Sequence, residues 1–296
     1  MFSHTALPSK RPVYLNILVI EVLTVSFAAA GNTPFSILLV NYKSLELTQA
    51  CLTLLRDGLQ GAEVAVYVVD NDSNDASTEY LRTLDWITLI ERKPAGPEAG
   101  SDAHGRALDM ALGEVETEFV FLLHTDTFIY DSSVFAMMLA AGTRQPGVAA
   151  VGCVEQLNRG LPRSLWRLTS RFAKHYFRRT ARLLGLPGRD PKPYRETYLK
   201  SFCTLWNVRL MRQHRLHFAM DERNPGYELQ ERMVALGYTI KRLSPARLFS
   251  YLDHVESGTV CAQGGYGTDH RREKSYREQV AAYRTPPLAP RTAHHR

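Results

Sequence analysis

The 296-residue chain holds only four cysteines, and they are widely scattered. Cys51, Cys153, Cys203 and Cys261 form no Cys-x-x-Cys pair, which excludes zinc-type spacing and a disulfide framework and reads as reduced thiols in a cytoplasmic protein. Outside the first thirty residues no apolar run approaches the roughly 20 residues that span a bilayer. No recognised nucleic-acid motif is present either. The most local absence is of acids: between Glu155 and Asp190 there is none, against nine Lys or Arg. Without those nine the formal charge would be −3 rather than +6, so one segment makes the protein basic.

What is present suffices for a full core. Hydrophobic residues make up 45% of the chain, which fits one large α/β domain or two closely fused halves. The first 33 residues stand apart. Lys10 and Arg11 precede an apolar run over 15–30 that ends in Ala28-Ala29-Ala30, the shape of a secretory signal. Asn16 and Glu21 interrupt it, and a charge inside a short apolar run opposes membrane insertion. An extension outside the core is expected, with an interfacial anchor and a cleaved signal as alternatives. Past 263, Gly, charge, Pro and His dominate, and 285–296 reads as a disordered tail. The core is therefore expected over 34–262, with a first half at 34–130 and a second at 131–262.

Residues 117–130, TEFVFLLHTDTFIY, carry Phe119, Val120, Phe121 and Leu122 straight into His124 and Asp126. A short apolar run bounded by turn-formers reads as a buried central strand. If the strand persists, His124 and Asp126 point to one side, roughly 6 to 7 Å apart. Ligands of open α/β sheets collect beyond the carboxyl ends of the strands, and a carboxylate there suits a hard divalent cation; an Asp after a strand also simply begins a turn. Two earlier strands end alike, 36–42 in Asn41-Tyr42 and 63–73 in Asp70-Asn71-Asp72-Ser73. Asp70 and Asn71 can hydrogen-bond a nucleobase and ribose, or turn the chain and cap a helix near 78–84. Between these strands Ser44 can cap a helix through about Arg56.

In these motifs and their order the chain resembles the inverting family 2 glycosyltransferases of the GT-A fold, within a rhamnosyltransferase-like group. The resemblance covers about 34–259. It implies a mostly parallel central sheet flanked by helices, a nucleotide-binding half followed by an acceptor half, and a donor that is a nucleoside-diphosphate sugar. It places Asn41, Tyr42, Asp70 and Asn71 at the donor base and ribose. The helix start at Gly105, Ala107 and Asp109 then matches a small-residue passage under the diphosphate, with His104 and Arg106 available to the phosphates.

The family's Asp-x-Asp triplet is here His124-Thr125-Asp126. In the family the last acid holds the metal and the first meets the ribose, so Asp126 keeps the metal role and His124 takes the ribose contact. The metal is expected to be Mn2+ or Mg2+; imidazole suits magnesium poorly. His254, which ends the stretch 249–254 after a last strand expected over 239–243, matches a further metal ligand. Glu228, before Leu229, Arg232 and Gly237-Tyr238, matches the base that activates the acceptor hydroxyl, with Asp221, Glu222 and Glu231 as substitutes. Trp206 is expected near the acceptor, which the resemblance makes a glycan or lipid-linked glycan.

The acid-free segment has helical spacing. At about 100° per residue, Arg163, Arg167, Arg171, Lys174, Arg178 and Arg182 share one arc, with Leu165, Trp166, Leu168, Phe172 and Tyr176 opposite. An amphipathic basic helix over about 163–184 is expected, either at an anionic membrane surface or packed on its own domain with a solvated basic face. A nucleic-acid partner is not expected. The reading that follows is a metal-assisted inverting glycosyltransferase, cytoplasmic or peripheral on the inner face of the cell membrane. Its alternative is a non-catalytic GT-A-like protein that binds a membrane surface.

Overall fold

A computed structural model describes residues 34–255 and Gly258, except Gly61, Ala99, Arg159, Lys192, Asp221 and Glu222. The expectations for 1–33, for Thr259 and Cys261, for the tail and for Asp221 and Glu222 lie outside the described residues. The other three cysteines are free and buried.

The centre is a seven-stranded sheet, flanked by helices. Its first half is β1 (Phe35–Asn41), β2 (Val66–Asn71), β3 (Thr88–Arg92) and β4 (Phe119–His124), all parallel in the order β3-β2-β1-β4. The intervening helices are α1 (Leu45–Gly58), α2 (Ala76–Arg82) and α3 (Gly100–Glu114). Parallel pairing requires such crossovers, and they cover both faces of the sheet. That is why β1 and β4 read as unbroken apolar runs. Ile37, Leu39, Phe121 and Leu123 feed one core, while Leu38, Val40, Val120 and Leu122 feed the other.

The second half continues the same sheet. Beyond β4 lie β7 (Cys203–Asn207), antiparallel to its neighbours, then β6 (Val148–Gly152) and β8 (Thr239–Arg242), parallel to each other. A two-stranded ribbon pairs β5 (Thr127–Ile129) with β9 (Leu252–His254), Thr127 opposite His254. Helices α4 (Ser133–Thr143), α5 (Gly160–Leu183), α6 (Val208–Gln213), α7 (Tyr227–Ala235) and α8 (Pro245–Leu248) complete the described elements.

Three local expectations are corrected. Ser44 does occupy the position before α1, yet its hydroxyl makes no cap bond; it donates to Asn41 Oδ1 at 3.2 Å. Trp206 belongs to β7 and is core, 3% exposed, edge-on to Phe218 at 6.0 Å. The strand at 117–130 does not persist through Asp126: β4 stops at His124, and the chain turns before β5. The turn rather than the strand pleat sets the His124–Asp126 geometry.

The basic helix forms as expected, but turned the other way. Arg167, Arg171 and Arg178 are among its less exposed residues, whereas Leu165, Trp166, Phe172 and Phe177 face solvent. Arg167 Nη1 donates to Glu155 at 2.8 Å and Arg171 Nη2 reaches Glu196 at 3.0 Å. The middle of the basic arc, Arg167 and Arg171, is thus held to the body of the protein by acids that lie outside the helix, while Arg163 and Lys174 at its edge are exposed.

Candidate functional site

The parallel half of the sheet ends in two neighbouring polar clusters of different character. In the first, Asn41 sits beside Asp70 across β1 and β2 and is fully buried. Its amide NH2 has Asp70 Oδ1 at 2.7 Å, Ser77 Oγ at 2.8 Å and Ser73 Oγ at 3.1 Å, more acceptors than it has hydrogens. Its carbonyl accepts from Thr48 at 2.8 Å and Ser44 at 3.2 Å. Asp70, 3% exposed, takes Thr78 and the Ser73 N–H on its other oxygen. The cluster satisfies itself and clamps the start of α1 and α2 to the strand ends.

The structure therefore keeps Asn41 and Asp70 behind the protein surface at this edge of the sheet. Tyr42, 39% exposed, and the partly exposed Asn71 stand at that surface. Asn71 accepts from Arg92, whose guanidinium also pairs with Glu98 at 2.6 Å, both side chains largely covered. Arg92 was not singled out from the sequence. It is the last residue of β3, so the rule that marked the other strand ends, polar residues discharged at the carboxyl edge, would have found it.

The second cluster is not self-satisfied. His124, Asp126 and His254 each present one ligand-type atom, all within 4.8 Å of one another. Asp126 is 4% exposed; its Oδ2 accepts from the Gly258 N–H at 3.1 Å, but its Oδ1 has no hydrogen-bond partner. His254 Nδ1 donates to the Gln156 carbonyl at 3.1 Å, and its ring stacks on Phe202 at 4.5 Å. That pins the ring and turns Nε2 toward Asp126 Oδ1, 3.4 Å away. His124 contributes Nδ1 at 3.7 Å from the same oxygen, while its Nε2 lies 2.9 Å from Ser201 Oγ.

A bare imidazole nitrogen facing a carboxylate oxygen is unfavourable unless positive charge lies between them, a proton or a metal cation. Burial alone would raise the Asp126 carboxyl; His254, His124 and the Gly258 N–H outweigh it and hold it below the ordinary carboxylate range. Burial pushes the His124 imidazole down to about 4 against the pull of Asp126. A carboxylate with imidazole nitrogens is the donor set that a divalent transition ion takes. The residues present fit such an ion, and the second ring nitrogen of His254 bonded to a carbonyl is the orientation that metal-ligating histidines show.

His104, on α3, joins this cluster. Its ring meets that of His124 edge-on at 5.3 Å. Its Nε2 is the only other buried side-chain polar atom without a partner among the described residues, and burial pushes its imidazole down to about 3. Arg106 is elsewhere engaged: it is exposed and paired with Asp102 at 3.0 Å. The small residues nearby have structural work. An added Cβ on Gly105 would lie 3.0 Å from Ala219 Cβ, and Asp109 accepts the Phe218 and Ala219 N–H groups at 2.6 and 2.9 Å, so α3 is locked to 217–219.

Glu228, in the first turn of α7, has a 17% exposed side chain. One oxygen accepts from Arg223 at 3.0 Å and the other from Arg232 at 2.8 Å. Beside it Tyr198 and Tyr227 stack at 4.1 Å, and Lys200 donates to the Tyr227 hydroxyl at 3.0 Å. Glu231, the described substitute, is held by Arg223 and Tyr198, which bring its carboxyl down to about 2. The sequence did not single out Ser201, which contacts the first imidazole of the triad, and it marked Gly258 only as a neighbour of His254, not as a donor to the carboxylate.

The mixed sheet, with its polar strand ends and a His-x-Asp turn at its carboxyl edge, is of GT-A type. Among solved structures the fold matches the mannosyltransferase PcManGT from Pyrobaculum calidifontis, in complex with GDP-Man and Mn2+. The match has 16% identity and a TM-score of 0.50 over 77% of this chain. Weaker likenesses are to residues 1–349 of TarS from S. aureus (15% identity, TM-score 0.47, 87% of this chain) and to glucosyl-3-phosphoglycerate synthase from Mycobacterium tuberculosis (14%, 0.39, 69%). The chain spans 66%, 67% and 64% of the length of those three chains, respectively. No protein-family model and no curated protein sequence matches it.

Proposed function

We propose that the protein is an inverting glycosyltransferase that moves a hexosyl or deoxyhexosyl group, as the rhamnosyltransferase-like group does, from a nucleoside-diphosphate sugar to a hydroxyl. The acceptor is a glycan or lipid-linked glycan. The observation that carries this reading is the orphaned Asp126 oxygen, faced by two imidazoles at the carboxyl edge of a GT-A sheet. The mannosyltransferase of like fold holds GDP-Man and Mn2+, and this site suits ligands of the same class. Asp126, His254 and His124 would hold the divalent ion, which would neutralise charge on the departing diphosphate. Imidazoles favour Mn2+ over Mg2+.

Tyr42 and Asn71 meet the base and ribose, on strand ends that Asn41 and Asp70 hold in place. His104, neutral and unpartnered, donates a hydrogen bond to the diphosphate, and Arg106 supplies a cation at its outer edge. Glu228 is the base, and for it to take the acceptor's proton the Arg223 contact has to give way to that hydroxyl. A second reading, the same fold without turnover and at work on a membrane surface, is favoured by the double engagement of Glu228.

Titration of nucleoside diphosphates, with manganese and with a chelator, tests the first reading. Affinity is expected to require the metal. Equal affinity in both conditions would sink the metal-assisted mechanism, and metal-dependent binding without transfer of sugar would favour the second reading.

A further inference from the structure

Helix α5 turns outward the face that a packed helix buries. Trp166, Phe177 and Leu183 are 74%, 76% and 81% exposed, and Leu165 and Phe172 lie on the same side. The opposite arc is tied down through Arg167 to Glu155 and Arg171 to Glu196. The helix has 24 residues, about 36 Å at roughly 1.5 Å each. No described helix is long and apolar enough to cross a membrane, and an apolar stripe of this length on a water-facing surface marks an interaction site.

We propose that this face lies on an anionic lipid surface, with the body of the protein above it. An interfacial helix puts Trp, Phe and Leu into the headgroup boundary and keeps basic residues at headgroup level. The arrangement here is that one: the apolar side faces away from the body, and Arg163, Lys174 and Arg179 are exposed beside it. Charge selects this occupant over a second copy. Face-to-face pairing of two such helices would bring two acid-free basic segments together, whereas anionic headgroups complement them. A hydroxyl acceptor carried on a lipid would be presented at the same surface.

Two triple variants separate the contributions without touching the Arg167 and Arg171 pairs. The full-length protein is sedimented with phosphatidylcholine vesicles, with and without phosphatidylglycerol. Trp166→Ser/Phe177→Ser/Leu183→Ser is expected to lower partitioning at least tenfold on the anionic vesicles. Arg163→Gln/Lys174→Gln/Arg179→Gln should lower it about tenfold or more on anionic vesicles and leave neutral ones unaffected. Circular dichroism and Mn2+ binding should be unchanged in both. Failure of the parent protein to bind anionic vesicles overturns the proposal. So does a concentration-dependent dimer, seen by sedimentation without lipid and dissolved by the first triple, because the face then belongs to a second copy.

Discussion

The polar clusters at the ends of β1 and β2 and of β4 are both buried, yet only one of them is complete. Around Asn41 and Asp70 every side-chain oxygen and amide has a partner within the protein. Around Asp126 an oxygen and a nearby imidazole nitrogen, that of His104, have none. Buried polar groups are nearly always paired, so the first cluster is framework and the second is built for something absent from the chain itself. Residue type does not separate the two, since both hold an Asp at the carboxyl end of a strand. Satisfaction does.

The largest effect is expected where satisfaction is poorest. Asp126→Asn should weaken Mn2+ binding by more than about 100-fold, beyond the roughly 10- to 100-fold that loss of an outer-shell partner costs, with the fold retained. It should weaken nucleoside-diphosphate binding only when metal is present. His254→Ala should act in the same direction, and the double substitution should cost less than the sum, as for two ligands of one ion. Isothermal titration with Mn2+ reads all three, and an unaltered affinity in Asp126→Asn would remove the metal site.

Glu228 is where the comparison can break. By satisfaction it belongs with the framework, both oxygens being held by arginines; by resemblance it is the base. Glu228→Gln should lower turnover about 100-fold with donor affinity little changed. Near-normal turnover would return Glu228 to the framework and move the search for the base to Glu231, Asp221 or Glu222.

Asn41→Ala should separate stability from ligand binding. It leaves Asp70, Ser77 and Thr48 without their shared partner and should cost about 2 kcal/mol, roughly 30-fold in the folding constant, by urea denaturation. Mn2+ affinity in the folded protein should stay within about twofold. A large loss of Mn2+ affinity would show that the two clusters are one unit.

Much of this was legible in the sequence because strand ends are marked twice, by an apolar run and by the polar residues that stop it. Those marks led to Asn41, Asp70, His124 and Asp126, and to a parallel sheet. They could not tell a closed cluster from an open one, because closure depends on Ser73, Ser77, Thr48 and Gly258, placed by three-dimensional packing. The basic helix shows the same limit. Its periodicity defines two faces, but which one meets the body is decided by Glu155 and Glu196, acids beyond its ends.

The smallest predicted effect is also the most local. An added Cβ at Gly258 would lie 2.7 Å from Asp126 Cβ and 3.2 Å from Leu47 Cδ1. Leu47 is fully buried and has little room to recede in a close-packed core. Asp126 must then shift, which disturbs the bond from the Gly258 N–H and the aim of Oδ1 at the imidazoles. Gly258→Ala should therefore lower Mn2+ affinity about tenfold, the scale of an outer-shell disturbance, while the ligand set stays whole. Gly113→Ala is the control, since its Cβ would meet nothing within 4 Å. Equal Mn2+ affinity in the two variants would mean that the Gly258 backbone yields instead, and that Asp126 is aimed by His124 and His254 alone.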